Sequence, residues 1–124
     1  LNEKKFAKNY YLSESDIKKL INNNMLIGAH SMSHQVLSML RTNEFKYEID
    51  KSLDFINQFT NSKLFSYPYG SKISYNQKIV DHLEKRNVSF SVNVLNRNIT
   101  KSDIEYNRQE IPRIDCNKFK YGIV

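Results

Sequence analysis

Two histidines stand four residues apart in the run Gly28-Ala29-His30-Ser31-Met32-Ser33-His34, directly after the apolar stretch Met25-Leu26-Ile27. Neutral imidazole nitrogen is a good zinc ligand, and a catalytic zinc site needs three protein ligands with a further position open to water. If His34 falls on the first turn of a following helix, the spacing of four puts both rings on one face, where they can grip one ion. His30 and His34 are therefore candidate metal ligands, and a third ligand has to come from elsewhere. The spacing also fits a plainer arrangement, with one histidine capping a helix and the other exposed. No glutamate follows the first histidine, so this is not the helical His-Glu-x-x-His zinc motif.

A second group is Phe65-Ser66-Tyr67-Pro68-Tyr69-Gly70. A strand that ends in Pro-Tyr-Gly projects aromatic rings and backbone N–H groups from its carboxyl end. In parallel α/β folds that end is where sites assemble, so both motifs would point to one region. Tyr67, Pro68 and Tyr69 are the candidate substrate-binding residues. The alternative is core or rim packing for the tyrosines and a tight turn at Gly70.

The elements that must hold these groups alternate along the chain. Ser13-Glu14-Ser15-Asp16 reads as a helix start, with Ile17, Leu20 and Ile21 as its apolar stripe and Asn22 to Asn24 as its end. Met25 to Ala29 reads as a short buried strand. Val36, Leu37 and Leu40 suit a short turn or helix. A longer helix from about Thr42 places Phe45, Ile49, Leu53, Ile56 and Phe59 on one face, leaving Lys46, Glu48, Asp50 and Lys51 to solvent. Lys63 to Tyr67 reads as a strand and Tyr75 to Lys85 as a helix burying Ile79, Val80 and Leu83. The alternation Val88, Phe90, Val92, Val94 marks the next strand. Asn96 to Asn107 is loop-like, and Glu110 to Ile114 is a last strand that Pro112 confines to an edge or a strand start. This order favours parallel pairing with right-handed crossovers, hence an α/β layer or barrel.

Here the residues resemble a family. His30-Ser31-Met32-Ser33-His34 fits the His-Ser/Thr-x-x-His motif of the polysaccharide deacetylases, the NodB-type carbohydrate esterases. Leu12-Ser13-Glu14 through Leu20 to Ile27-Gly28-Ala29 is similar to the segment before that motif, and Ser38-Met39-Leu40 follows in place. Phe65 to Gly70 resembles the family's strand ending in Pro-Tyr-Gly, and Ile111-Pro112-Arg113-Ile114 a late Pro-Arg segment. The resemblance implies a distorted (β/α) barrel that removes acetyl groups, usually N-acetyl, from sugars. It implies metal ligation by His30 and His34, most often of Zn2+, which polarises the acetyl carbonyl and activates water. It further implies the Tyr69 backbone N–H as an oxyanion donor and Ser31 as a brace for the ligand loop.

The departures shape the expectation. The family's early Asp-Asp motif, which supplies the third ligand and the general base, is absent. Asp16, Asp50, Asp54, Asp81, Asp103 and Asp115 match neither role. Ser66 stands where an arginine is usual, and Arg113 is the candidate for the missing positive charge near the base. No late Leu-x-His follows Val94, and His82 reads as a surface residue. The expected architecture is thus a single partial deacetylase domain over residues 1–124: an α/β fold, a barrel of this type missing its first strands. Three explanations fit: a fragment of a longer protein, a partner chain that completes the barrel, or a degenerate domain that binds carbohydrate or assembles without catalysis. An acetylated amino-sugar polymer or glycan is the implied partner, which leans towards the cell envelope. The metal could also be Co, Ni or Fe.

Composition narrows the remaining classes. At 124 residues, the chain is one domain at most, with a hydrophobic share of 40% that suffices for a core. Net charge is +6, but the lysines are scattered among acidic residues and no nucleic-acid motif accompanies them, so nucleic acid is not an expected partner. No apolar run approaches the about 20 residues that span a bilayer. The chain opens on Leu1 rather than Met, so residues upstream are expected. The single Cys116 excludes a disulfide within the chain and is expected to be buried or half-buried.

Overall fold

The computed structural model describes residues 2–119. Helices α1 (Glu3–Tyr10), α2 (Glu14–Asn22) and α3 (Thr42–Ile56) precede strand β1 (Leu64–Ser66). Helix α4 (Gln77–Lys85), strand β2 (Phe90–Val94), helix α5 (Lys101–Tyr106) and strand β3 (Ile111–Arg113) follow. The strands form one parallel sheet in the order β1-β2-β3, and Ala29 adds an isolated parallel bridge to Phe65 on the far side of β1. The chain is therefore α/β, and among the described residues the sheet is open and closes no barrel.

Register and alternation divide the sheet into two faces. Ala29, Phe65, Tyr67, Ser91 and Asn93 face α3 and α4 and are buried. Phe45, Ile49, Leu53 and Ile56 of α3 and Ile79, Val80 and Leu83 of α4 complete that core. The spacings of three and four in both helices create their apolar faces. The other face carries His30, Leu64, Ser66, Phe90, Val92, Val94 and Arg113, all half-buried or exposed. The segment around Ile99 and Ile104 approaches it, sharing a hollow of about 370 Å3 with Phe90 and Ile111.

Several expectations are corrected. Met25 to Ala29 is not a strand, since only Ala29 pairs and Met25 and Leu26 are exposed. The reason is local: Met25 N–H donates to the Leu20 carbonyl and Asn24 N–H to the Ile21 carbonyl, with Asn24 at φ 61°. This left-handed cap closes α2 and uses up the residues read as strand. In β2 the buried residues are Ser91 and Asn93 rather than the valines. Ser91 Oγ donates to Gln109 Oε1 (2.6 Å), and Asn93 Nδ2 donates to Tyr75 Oη (2.8 Å), so polar partners make their burial tolerable.

The segment read as a loop contains α5, started by a capping box in which Thr100 Oγ1 accepts from Asp103 N–H and the Asp103 carboxylate accepts from Thr100 N–H. Helix α1 was not anticipated, and it buries no residue. His82 is not a surface residue: its Nε2 lies 2.8 Å from the Asp50 carboxylate between α3 and α4, with Arg86 bridging Asp50 and Asp54. Cys116 is exposed.

Two outcomes follow from this organisation. Ile49→Ala, at a fully buried position, should cost about 2–5 kcal/mol in urea unfolding, whereas Phe6→Ala on the unpacked α1 should change it by less than about 0.5 kcal/mol. Asp103 is held well below the usual carboxylate range, chiefly by the Arg97 guanidinium and then by Thr100. Its contribution is complete above the ordinary aspartate value of 3.8 and disappears as pH falls through the lowered native value. Asp103→Asn should therefore destabilise at pH 7 and flatten the acid limb of a stability profile.

Candidate metal centre

The bridge at Ala29 positions everything that follows. Ala29 N–H donates to the Leu64 carbonyl (2.8 Å), and Ser66 N–H donates to the Ala29 carbonyl (2.9 Å). His30 is thereby placed on the open face beside Ser66. Its Nδ1 lies 2.7 Å from the Ser66 carbonyl oxygen. A carbonyl can only accept, so Nδ1 carries the proton, and in the neutral ring the Nε2 lone pair is left available.

His34 reaches the same place without a helix. The nearest 3₁₀ turn begins at Leu37, so the expected helical face does not exist here. Instead Ser31 (φ 62°) and His34 (φ 56°) both adopt left-handed backbone, and His34 N–H donates to Ser31 Oγ (3.1 Å). The turn folds His34 back onto His30, with ring centroids 4.8 Å apart at 67°. Such conformations cost on the order of 1–3 kcal/mol each and persist only where neighbours enforce them.

Glu48 on α3 meets this loop. Its Oε2 accepts from Met32 N–H (2.9 Å) and Ser33 N–H (2.8 Å), and its Oε1 from the Ser33 hydroxyl (2.6 Å). The residue expected to face solvent is buried. A signal was available: Glu48 lies three residues after Phe45 and four before Ser52, on the helix face that sits against the core.

The Pro-Tyr-Gly turn divides its residues between core and surface. Tyr67 is fully buried, stacks on Tyr75 at 4.0 Å and donates its hydroxyl to the Gln109 carbonyl (2.7 Å). Burial, with Tyr75 beside it, pushes that hydroxyl far above the ordinary tyrosine range. Pro68 is also buried. Both side chains lie beneath the turn and leave Tyr69 as its exposed residue. Tyr69 is 59% exposed and its ring centroid lies 4.8 Å from that of His34. Its N–H takes no acceptor among the described residues.

Gly70, at φ 69°, donates to the Pro68 carbonyl and accepts from Val94 N–H (2.8 Å). A Cβ there would lie 2.7 Å from Val94 Cγ2 and 3.0 Å from Val94 N. The structure thus brings His30, His34, Ser31 and Tyr69 together. Arg113 is exposed on the same sheet face but stands on β3, in register with Val94, with no ion pair to this group.

The donor set can be weighed against a metal. His30 Nε2 and the adjoining His34 ring are suitable nitrogen ligands. Among the described residues no group of three His, Cys, Asp or Glu side chains could hold an ion. The pair therefore fits part of a site and does not complete one.

A family model for polysaccharide deacetylase matches residues 2–91. The chain belongs to the polysaccharide deacetylase family. No curated protein and no solved structure matches it. The matched part of the chain contains both histidines, Glu48 and the Pro-Tyr-Gly turn, whereas α5, β3 and Arg113 lie beyond it. No helix among the described residues is long and apolar enough to cross a membrane.

Gly70→Ala combines left-handed strain with a backbone collision. It should destabilise the domain by about 1–3 kcal/mol in urea unfolding and remove the ring-current shift that Tyr69 imposes on His34 in proton NMR.

Proposed function

We propose that this domain belongs to a metal-dependent deacetylase of acetylated amino sugars in a polysaccharide or glycan, with His30 and His34 as two of its metal ligands. The observation that carries the reading is the free Nε2 of His30 with the His34 ring beside it. A bound Zn2+ would supply Lewis acidity at the acetyl carbonyl and a nucleophilic water at neutral pH. The third ligand and the general base come from outside the described residues, upstream or on a partner chain. The uncovered sheet face suits a (β/α) barrel of the family's type that lacks its first strands here.

Within this frame the chain's own groups have distinct tasks. The Ser66 carbonyl fixes the tautomer and direction of His30. Ser31 Oγ holds the His34 backbone. The unengaged Tyr69 N–H donates to the oxyanion that develops on the acetyl oxygen, a contribution of about 3 kcal/mol in comparable sites. The Tyr69 ring flanks the sugar, while buried Tyr67 and Pro68 keep the turn in place. Arg113, on the same face as His30, is the positive charge assigned near the base.

A second reading is favoured by the lack of a third ligand beside the histidines among the described residues: a degenerate deacetylase domain that binds carbohydrate without turnover. Acetate release from N-acetylglucosamine oligomers by the full-length gene product separates the two. The enzyme reading predicts turnover that a chelator abolishes, zinc restores, and His34→Ala lowers by at least about 100-fold. Sugar binding with no acetate release, indifferent to chelators, would establish the second reading instead.

A further inference from the structure

We infer that Glu48 is the positioning residue of the histidine pair: its buried carboxylate folds the loop between His30 and His34 and so sets where the two rings meet. A carboxylate buried to this degree is costly unless hydrogen-bonded. Glu48 forms no salt bridge among the described residues, and its three donors all come from Met32 and Ser33. Loop and carboxylate therefore require each other. The two successive N–H groups converge on one oxygen next to left-handed Ser31, the concave arrangement in which backbone amides bind anions.

Glu48 joins the two histidines in no group of three side chains that could hold one ion among the described residues, so it is not assigned as the third ligand. Its effect on a metal passes through the loop. Ser33, which also accepts from Gln35 Nε2 (3.0 Å), ties Glu48 to the residue next to His34. The inference rests on the metal reading only for its consequence in affinity. The geometric part concerns the metal-free chain.

The test therefore has two arms on the same 124-residue protein: NMR without metal and zinc titration. In wild type, Met32 and Ser33 amides should exchange slowly and the His30 and His34 ring protons should show a mutual NOE. Glu48→Ala should lose both and weaken zinc binding by about 10–100-fold. Glu48→Gln keeps one oxygen for the two amides, so it should retain the NOE and lose less zinc affinity than Glu48→Ala.

Should Glu48→Ala fail to fold, Ser33→Ala decides. It removes the hydroxyl contacts to Glu48 and from Gln35 and leaves both amide contacts, and the loop amides should exchange faster in a chain that still unfolds cooperatively in urea. Wild-type amide exchange and an unchanged ring NOE in Glu48→Ala, or, where that variant does not fold, wild-type amide exchange in Ser33→Ala, would overturn the inference. If wild type binds no zinc, the pair needs its third ligand from outside this chain, the acetate-release assay decides the metal reading, and the exchange and NOE arm decides the role of Glu48 on its own.

Discussion

Two backbone hydrogen bonds at Ala29 carry the site. They are the attachment that joins the histidine segment to the sheet, and they determine its parity against β1. A shift of one residue would bury His30 among the helices and turn Ala29 out to solvent. The close approach depends on Gly28, where an added Cβ would lie 2.9 Å from Leu64 Cβ. From this pairing follow the Ser66 carbonyl as acceptor for His30, the free Nε2, and the common face with Tyr69 and Arg113.

The other half of the site stands on an unusual base. Beneath the Pro-Tyr-Gly turn lies a polar core in which Tyr67, Tyr75, Asn93, Ser91, Gln109 and Glu110 hydrogen-bond across β1, β2 and the lead-in to β3, with Asn93 Oδ1 left without a partner. Such networks are rigid when satisfied and costly when broken. Burial of Tyr67 and Pro68 is what makes Tyr69 protrude. The Gly70 carbonyl then hooks the turn to Val94 N–H, at the end of β2. The two motifs converge because one is tied to the sheet edge and the other to its interior.

Much of this was legible in the residues. The helices α2, α3 and α4 follow from caps and apolar spacing, and the parallel order from their alternation with strands. The histidine pair and the Pro-Tyr-Gly turn stand out by type alone. What was not legible depends on tertiary partners. The rings meet through left-handed Ser31 and His34 rather than a helical face, and no local propensity announces left-handed backbone at those residues. Glu48 looked solvated because a charge is normally outside, and its loop donors are 15 and 16 residues away in the chain. In β2 the apolar residues mark the open face, since a polar network occupies the side where a core was expected. The capping box at Thr100 was a readable signal for α5, obscured by the lack of an apolar stripe.

Zinc K-edge X-ray absorption on the zinc-loaded 124-residue chain tests the central claim, that both imidazoles hold one ion, most directly. The account predicts scattering from two imidazoles per zinc in wild type, falling to one in His34→Ala. A single imidazole in wild type, or a spectrum unchanged by His34→Ala, would contradict it.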